Sequence, residues 1–510
     1  MPMPRTLRSG RAWWRAAILV AACSLTLPWL TSQARAGSVA LRQRRLKVVL
    51  VVFDGLRPDH ITPARMPRLH ALSASGVMSW QHHSLFPTVT RVNASALATG
   101  TGPSGHGILD NSIFLPSVAD RVLNTGEAQD MLLADSVLAG RLLTAPTIGS
   151  RLREAGLRMM VASAGSSGSA YLFAGGAGTP VVNADLVLPH ALSPMVEHVL
   201  GAPPADASPN IGRNTWAVDA LLRVGVDSLD VDVGYLWLSD PDHTAHGAGL
   251  GSVMADSSIR AADREFGRLL DGLAARALAQ SVNVLVVSDH GFSTHVGDTK
   301  SLRKQLGALA DSVVIAGSAI HVRRGGAGTR DAVVRVLQQW PEAGAIFSAP
   351  TAANGLGAVR GTISTAQIGW QHARAADVLY SADWSHQRNG AGHRGDTRQS
   401  GVAGHGTSSP YDVTATFVAS GPAFLVGAQA VAPSSNADIV PTILHLLGQP
   451  STPIGVTGRP LLELLRNGGA GAPTITRDSL VAETAGYRTV AYRTRVQQTW
   501  YFDSTRTTRR

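Results

Sequence analysis

Cysteine is almost missing from this chain: there is one in 510 residues, Cys23. Lysine is nearly as scarce, with Lys47, Lys300 and Lys304 the only three. Aromatic residues make up 5% and charged residues 16%. Each scarcity excludes something. Without cysteine pairs there is no disulfide scaffold and no thiolate site, so a bound metal must be held by His, Asp and Glu. Basic residues are scattered and no basic–aromatic stripe appears, so specific nucleic-acid binding is not expected. The longest apolar stretch, AAILVAACSLTLPWL, is too short to span a bilayer comfortably. What the chain does have is 44% hydrophobic residues and 53 glycines. That composition builds a sizeable core with many tight turns and excludes wholesale disorder.

The N-terminus reads as a secretory signal. Arg5, Arg8, Arg11 and Arg15 precede the apolar stretch, and Ala34-Arg35-Ala36 fits a small-x-small cleavage site before Gly37. This divides the chain into a signal, 1–36, and a mature protein, 37–510, that is periplasmic or secreted. No adjacent arginine pair occurs in the signal, which favours general secretion over the twin-arginine route. Cys23, in VAAC, loosely resembles a lipoprotein box, but the apolar run continues past it and argues against an anchor there. The signal's five arginines and lack of acids account for half of the net charge of +10, so the mature chain is only mildly basic.

Hydrophobic patterning predicts strands over 46–53, 157–163, 233–239 and 282–288, with helices over 65–76 and 250–277. Strands alternating with helices imply an α/β fold with a mostly parallel central sheet and helices on both faces. Residues 300–385 read as a smaller α/β insertion: a strand in SVVIAGSAIHVRR, a helix in TRDAVVRVLQQW and a strand in AIFSA. A strand–helix pattern returns in 413–448. The last forty residues show no definable pattern.

Four constellations carry chemistry. LKVVLVVFDG ends an apolar strand on Asp54, and VNVLVVSDHG ends another on Asp289-His290. Carboxylates at strand exits sit where open α/β sheets keep their sites, although a strand-ending aspartate also caps helices. In PDHTAH, Asp242 and His246 are four apart, which places both on one face of a helical turn; a polar surface turn explains the same residues. His243 between them is a bystander. His405 lies between glycines in AGHG, as a site residue or an ordinary loop histidine. Thr90 closes FPTVT just before a predicted helix, as a helix cap or as a nucleophile favoured by the helix N-terminus and a cation; Thr88 is the competing hydroxyl.

Together these motifs resemble the alkaline phosphatase superfamily, and within it the nucleotide pyrophosphatase/phosphodiesterase (type I phosphodiesterase) family. The resemblance rests on VVLVVFDGLRPD, FPTVTRVNASALATGTGPSGHGILDN, YLWLSDPDHTAHG, VLVVSDHG and AGHGTSSPYDVTATFVASGPAF, about residues 47–425. It implies an alkaline-phosphatase-like fold and two Zn2+ ions. Asp242, His246 and His405 would hold one. Asp54, Asp289 and His290 would hold the other, with Thr90 against it as the nucleophile and the site of a covalent phospho-threonine. Asn111, in GILDN, would donate to a non-bridging phosphoryl oxygen. His106, in SGHG, matches a motif position but is structural. The substrate is a small phosphate ester, and the sequence does not give the oligomeric state.

Threonine-type monoesterases of the superfamily carry Lys and Arg after a central strand; here that stretch reads VASAGSSGSAYLF, with no basic residue. A diester, singly charged, is therefore the expected substrate, and Tyr171 is a candidate to stack on a base or aryl group. One departure stands out. The family has an aromatic residue and then Pro-Asn after the nucleophile, whereas this chain has Arg91-Val92-Asn93. Arg91 could contact phosphate, stack on a base, or supply the charge a monoester needs. His386, His393 and Arg394 are further candidates for substrate contact. The alternatives are a phosphate monoesterase or phosphonate hydrolase with the same metals, and a non-catalytic exported zinc-binding protein. A serine hydrolase is disfavoured because GSSGS lacks the G-x-S-x-G elbow.

Overall fold

The run VVLVVF becomes strand β1 (Val48–Phe53), buried at all six positions. A near-continuous apolar strand is what a sheet covered on both faces requires. Val48, Leu50 and Val52 point into one core, while Val49, Val51 and Phe53 point into another. The remaining strands of the sheet are β2 (Val77–His83), β3 (Met159–Ser163), β4 (Val181–Asn183), β5 (Leu186–Leu188), β6 (Val233–Leu238), β7 (Asn283–Val287), β8 (Thr414–Ser420) and β9 (Ala428–Ala430). Their order is β9-β2-β8-β7-β1-β6-β3-β4-β5, with the short strand Ser434–Ser435 also paired to β2. The centre, β7-β1-β6-β3-β4, is parallel. β8 runs antiparallel to both β7 and β2, and β5 runs antiparallel to β4.

The computed structural model describes residues 45–176, 178–297, 301–351, 355–468, 471 and 473–510. The proposed signal, with Cys23, lies outside these residues. Among the described residues no helix is long and apolar enough to cross a membrane.

Helices cover both faces. Those that matter below are α1 (Pro67–Ser75), α2 (Thr90–Thr99), α3 (Ser167–Phe173), α4 (Asp242–Ala248), α5 (Val253–Ala275) and α6 (Gly326–Gln339). The rings of Phe53 on β1 and Phe266 on α5 meet edge to face at 5.8 Å on one side of the sheet. Phe173 on α3 packs against Tyr235 and Trp237 of β6 on the other.

Between β7 and β8 the chain builds a second sheet of five strands, ordered Val313–Ala316, Ala319–Val322, Val378–Ala382, Ala343–Ser348 and Ile363–Ser364, with its own apolar core under α6. We read this segment as an insertion. The single strand expected over 312–324 is instead a hairpin. Gly317 turns it at φ +59°, a left-handed conformation a side chain disfavours. The last residues, patternless in the sequence, form three long antiparallel strands, Ile475–Thr484, Tyr487–Val496 and Thr499–Arg509. This sheet buttresses the others: Tyr487 Oη donates to Gly344 O at 2.8 Å, and Trp384 Nε1 donates to Thr505 O at 2.7 Å.

Candidate metal centre and cleft

Because β7, β1 and β6 lie side by side and parallel, their C-terminal exits open at one edge of the sheet. Asp54 follows β1 directly. Gly55 then turns at φ +67°, where an added Cβ would come within 3.0 Å of Asp242 Cβ, and its amide donates to Asp289 Oδ1 at 3.0 Å. Asp289 and His290 follow β7. Their adjacent side chains converge because the strand has already ended at Val287. His290 Nε2 lies 3.1 Å from Asp289 Oδ2 and 3.5 Å from Asp54 Oδ1.

A second group forms beside the first. Asp242 and His246 share a face of α4, and the Asp242 amide donates to Asp54 O at 3.1 Å. His405 arrives from the glycine-rich loop. Asp242 Oδ1 is 3.2 Å from His246 Nε2 and 3.4 Å from His405 Nε2. The rings of His290 and His405 stack at 3.5 Å, joining the two groups. Within each trio, Asp242–His246–His405 and Asp54–Asp289–His290, the candidate ligand atoms all lie within 4.8 Å of one another.

The supporting hydrogen bonds say what these atoms need. Each imidazole turns its Nδ1 to a backbone carbonyl: His246 to Ala403 at 3.1 Å, His405 to Thr88 at 2.8 Å and His290 to Gly291 at 2.9 Å. Nδ1–H donates there, so in the neutral imidazole each Nε2 presents a lone pair inward. The carboxylates are held in the same way, with Asp54 Oδ2 accepting from Trp237 Nε1 at 3.0 Å. Yet Asp54 Oδ1, Asp242 Oδ1 and Asp289 Oδ2 are buried and have no hydrogen-bond partner. Lone pairs of nitrogen and oxygen thus face each other at about 3 Å, an arrangement that calls for a cation between them. Burial pushes the Asp54 carboxyl well above its usual range, and the nearby charges of Asp289 and Asp242 push it further. Burial opposes charging of His290, but Asp289 outweighs it and lifts the imidazole to about 8. Bound divalent cations would relieve this crowding. Three carboxylates and three imidazoles are donors that suit zinc.

Thr90 is the first residue of α2, and its Oγ1 lies 3.3 Å from His290 Nε2. Thr88 is occupied: its hydroxyl donates to Thr407 O at 2.8 Å and accepts from Gly406 N at 3.1 Å. Asn111 Oδ1 accepts from the Arg91 amide at 3.1 Å, which ties it to the same turn. The Arg91 guanidinium reaches Ser166 Oγ at 3.0 Å. Burial lowers its pKa below the usual guanidinium range, against the opposing charges of Asp54, Asp242 and Asp289.

A cleft of about 410 Å³ runs from Asp54, Thr90 and Asp242 past Arg91 and Ser166 to Asp206 and Arg213. Tyr171 does not join it, and the expectation that its ring meets substrate is corrected. It sits on α3 with its ring in the core, and its hydroxyl donates to Asp135 at 2.6 Å along a different cavity. His386, His393 and Arg394 do not line the cleft either. His386 bonds the Tyr411 hydroxyl, His393 packs edge-on against His60, and Arg394 O accepts from Arg57. His106 is buried, accepting from Ile108 N at 3.1 Å, with its pKa pushed down to about 3 by burial. The sequence reading missed Trp237, Ser166 and the far end of the cleft, Asp185, Asp206, Asn210 and Arg213.

The family model described as type I phosphodiesterase / nucleotide pyrophosphatase matches residues 48–346. A venom phosphodiesterase of Macrovipera lebetinus is 24% identical over 271 residues, covering 52% of this chain and 28% of that protein. Human ectonucleotide pyrophosphatase/phosphodiesterase family member 5 is 25% identical over 255 residues, covering 50% of this chain and 46% of that protein. The chain therefore matches about a quarter to a half of the length of these curated relatives. Among solved structures, an inactive form of murine ectonucleotide pyrophosphatase/phosphodiesterase 5 in complex with AMP superposes with a TM-score of 0.58 at 20% identity, covering 82% of this chain and all of that one. That likeness shows the fold: an alkaline-phosphatase-like α/β architecture.

Proposed function

Because the chain belongs to the type I phosphodiesterase / nucleotide pyrophosphatase family, we propose that it hydrolyses phosphate diesters, with two zinc ions and Thr90 as the nucleophile. The observation that carries this reading is the set of three unpartnered carboxylate oxygens facing three inward Nε2 atoms, with the Thr90 hydroxyl 3.3 Å from one of them, His290 Nε2. Asp242, His246 and His405 would hold one zinc, and Asp54, Asp289 and His290 the other. Bound there, the metals supply positive charge to the phosphoryl oxygens and favour the alkoxide of Thr90.

The chain's own residues do the rest. Thr90 Oγ1 gives up its proton to solvent water and forms a bond to phosphorus, while the bond from phosphorus to the leaving oxygen breaks and that oxygen takes a proton from water to leave as the alcohol. Water then cleaves the threonine–phosphorus link and restores the hydroxyl. The Nδ2 of Asn111 donates to a non-bridging oxygen, with its Oδ1 held by the Arg91 amide. Arg91 reaches into the same cleft. The substrate is a small diester, a nucleotide or an aryl or alkyl phosphodiester.

Arg91 is also what favours a second reading, a monoesterase or phosphonate hydrolase with the same metals. Comparing bis-(p-nitrophenyl) phosphate with p-nitrophenyl phosphate decides between them. The diesterase reading expects the diester to have the higher kcat/KM, and a tenfold monoester preference overturns it. Loss of activity in chelator and its return with zinc is expected; activity that survives the chelator rules out the metal. We also read the chain as exported, periplasmic or secreted, with cleavage before Gly37. N-terminal sequencing of the mature protein tests this, and an intact N-terminus in the cytoplasm overturns it.

A further inference from the structure

The three-stranded sheet at the C-terminus ends on an open edge. Its first strand, Ile475–Thr484, is ten residues long and pairs with Tyr487–Val496 at every position without a bulge. Among the described residues, no strand or loop backbone pairs with its other side. Leu480 and Ala482 turn inward and pack on the core beneath the sheet. Arg477, Ser479, Val481 and Glu483 alternate with them on the opposite face, and all four are exposed, Val481 at 40%.

A row of unpaired N–H and C=O groups is a template for another strand, and proteins blunt such edges with short strands, proline, lysine or bulges. This strand uses none of these. It is about twice the usual strand length, and ITRDSLVAET contains neither proline nor lysine.

Its charges are placed for self-pairing instead. A two-fold axis normal to the sheet joins two copies of an edge strand antiparallel and brings the same patch of both together. Facing residues must then lie on the same side of the pleat, so their numbers are both odd or both even. Arg477 is the strand's only base, and its acids are Asp478 and Glu483. Asp478 cannot face Arg477, because it lies on the other side of the pleat. Glu483 can, and that register centres the axis on Leu480. Both charges are then matched at once, Arg477 of each copy meeting Glu483 of the other. Glu483 is available for this, since its contact within the chain is a solvent-exposed one of 3.5 Å with Arg488. The same register sets Thr476 opposite Thr484 and makes the two Val481 side chains diagonal neighbours, pairings that stabilise sheets.

We infer that two copies of the mature chain dimerise edge to edge through Ile475–Thr484, in antiparallel register about Leu480, and join their C-terminal sheets into one.

Sedimentation velocity on the full mature chain over a concentration series tests this. The wild-type chain is expected to pass from monomer to dimer as concentration rises. Arg477→Glu places a carboxylate opposite Glu483 at both ends of the pairing, and Glu483→Arg places a guanidinium opposite Arg477. Each is expected to weaken the dimer roughly tenfold or more, because facing like charges destabilise a strand pair. Mixed together, the two variants regain both opposite-charge contacts. The mixture is therefore expected to form a one-to-one heterodimer of near wild-type affinity at concentrations where each variant alone is monomeric. Both positions are exposed, so unfolding temperatures should match the wild type, and the mixing step succeeds only if both variants fold. A wild-type chain that stays monomeric throughout overturns the inference. Single variants that dimerise as tightly as wild type, or a mixture of folded variants that does not associate, overturn it as well.

Discussion

Thr90 Oγ1 stands 3.3 Å from His290 Nε2, at the first turn of α2 and facing the exit of β7. With His290 Nδ1 committed to the Gly291 carbonyl, the neutral imidazole has its lone pair on Nε2, so the atom that would hold a metal is also the one that meets Thr90, the threonine of FPTVT not tied to the His405 loop. Thr90→Ala is expected to lower kcat on the order of a thousandfold or more, as loss of a nucleophile does, while zinc content stays unchanged. Thr90→Ser should keep measurable turnover. Full activity in the alanine variant would remove Thr90 from the chemistry and leave a hydrolysis that proceeds without a covalent threonine intermediate.

Trp237 reaches the centre through Asp54. Its indole N–H donates to Asp54 Oδ2 at 3.0 Å, which turns Oδ1 toward His290. Trp237→Phe keeps the edge-on packing against Phe173 but removes this hydrogen bond and leaves Asp54 free to rotate. Loss of a partner that orients a ligand weakens metal binding roughly 10- to 100-fold. Competition against a chromogenic chelator should show that weakening for one metal of the two, and equal affinities in both proteins would count against Asp54 as a ligand.

The pH dependence of the metal-free protein follows from His290. Its folded pKa is about 8, raised above the ordinary imidazole value of 6.5 because the Asp289 charge outweighs burial. A raised pKa means the contribution to stability is fully present below about 6.5 and is lost as pH rises through 8, a swing of roughly 2 kcal/mol at most. Urea unfolding in chelator should therefore show stability falling between these values. Zinc needs the neutral imidazole, so its affinity should rise over the same interval and bound metal should remove the fall. A metal-free protein whose stability climbs from pH 6.5 to 8 would place the His290 proton elsewhere.

How much of this was legible in the sequence depended on whether a residue's role was set locally. Asp54, Asp289 and His290 could be found because a buried strand announces its own exit, and Asp242 with His246 because a helical turn fixes a spacing of four. The residues alone left Thr88 as a competitor and only the family resemblance chose Thr90; in three dimensions the loop carrying His405 folds back to occupy the Thr88 hydroxyl. Tyr171 was misjudged for a related reason: α3 turns its ring into the core toward Asp135, and no local pattern specifies which way a short helix faces. The Asp185–Arg213–Asp206 end joins three segments far apart in sequence, so no motif contains it. The C-terminal sheet was overlooked because its alternation is broken: Thr489, Val490 and Ala491 are buried in succession, and a register shift follows at Tyr492 and Arg493.

That sheet is fastened to the catalytic body by a buried polar network, and the fastening is open to test. Tyr501 Oη donates to Asp438 Oδ2 at 2.9 Å and accepts from Arg459 Nε at 2.8 Å. Asp438 also accepts from the backbone amides of Ser435 and Arg459, both at 2.7 Å. Arg459 completes the set on Glu463 and Pro433 O. Every member is partnered, so removing one strands the others in a water-poor setting. Tyr501→Phe should cost about 1–3 kcal/mol, the usual penalty for an unmet buried group. Asp438→Ala should cost more than Tyr501→Phe, because it leaves the buried amides of Ser435 and Arg459 and the Tyr501 hydroxyl without their acceptor, each an unmet group worth about 1–3 kcal/mol. The double variant should lose less than the sum, since both changes break the same bond. Urea denaturation followed by tryptophan fluorescence measures all three. Strictly additive losses would mean that Tyr501 and Asp438 act independently and that the C-terminal sheet is held by its apolar contacts alone.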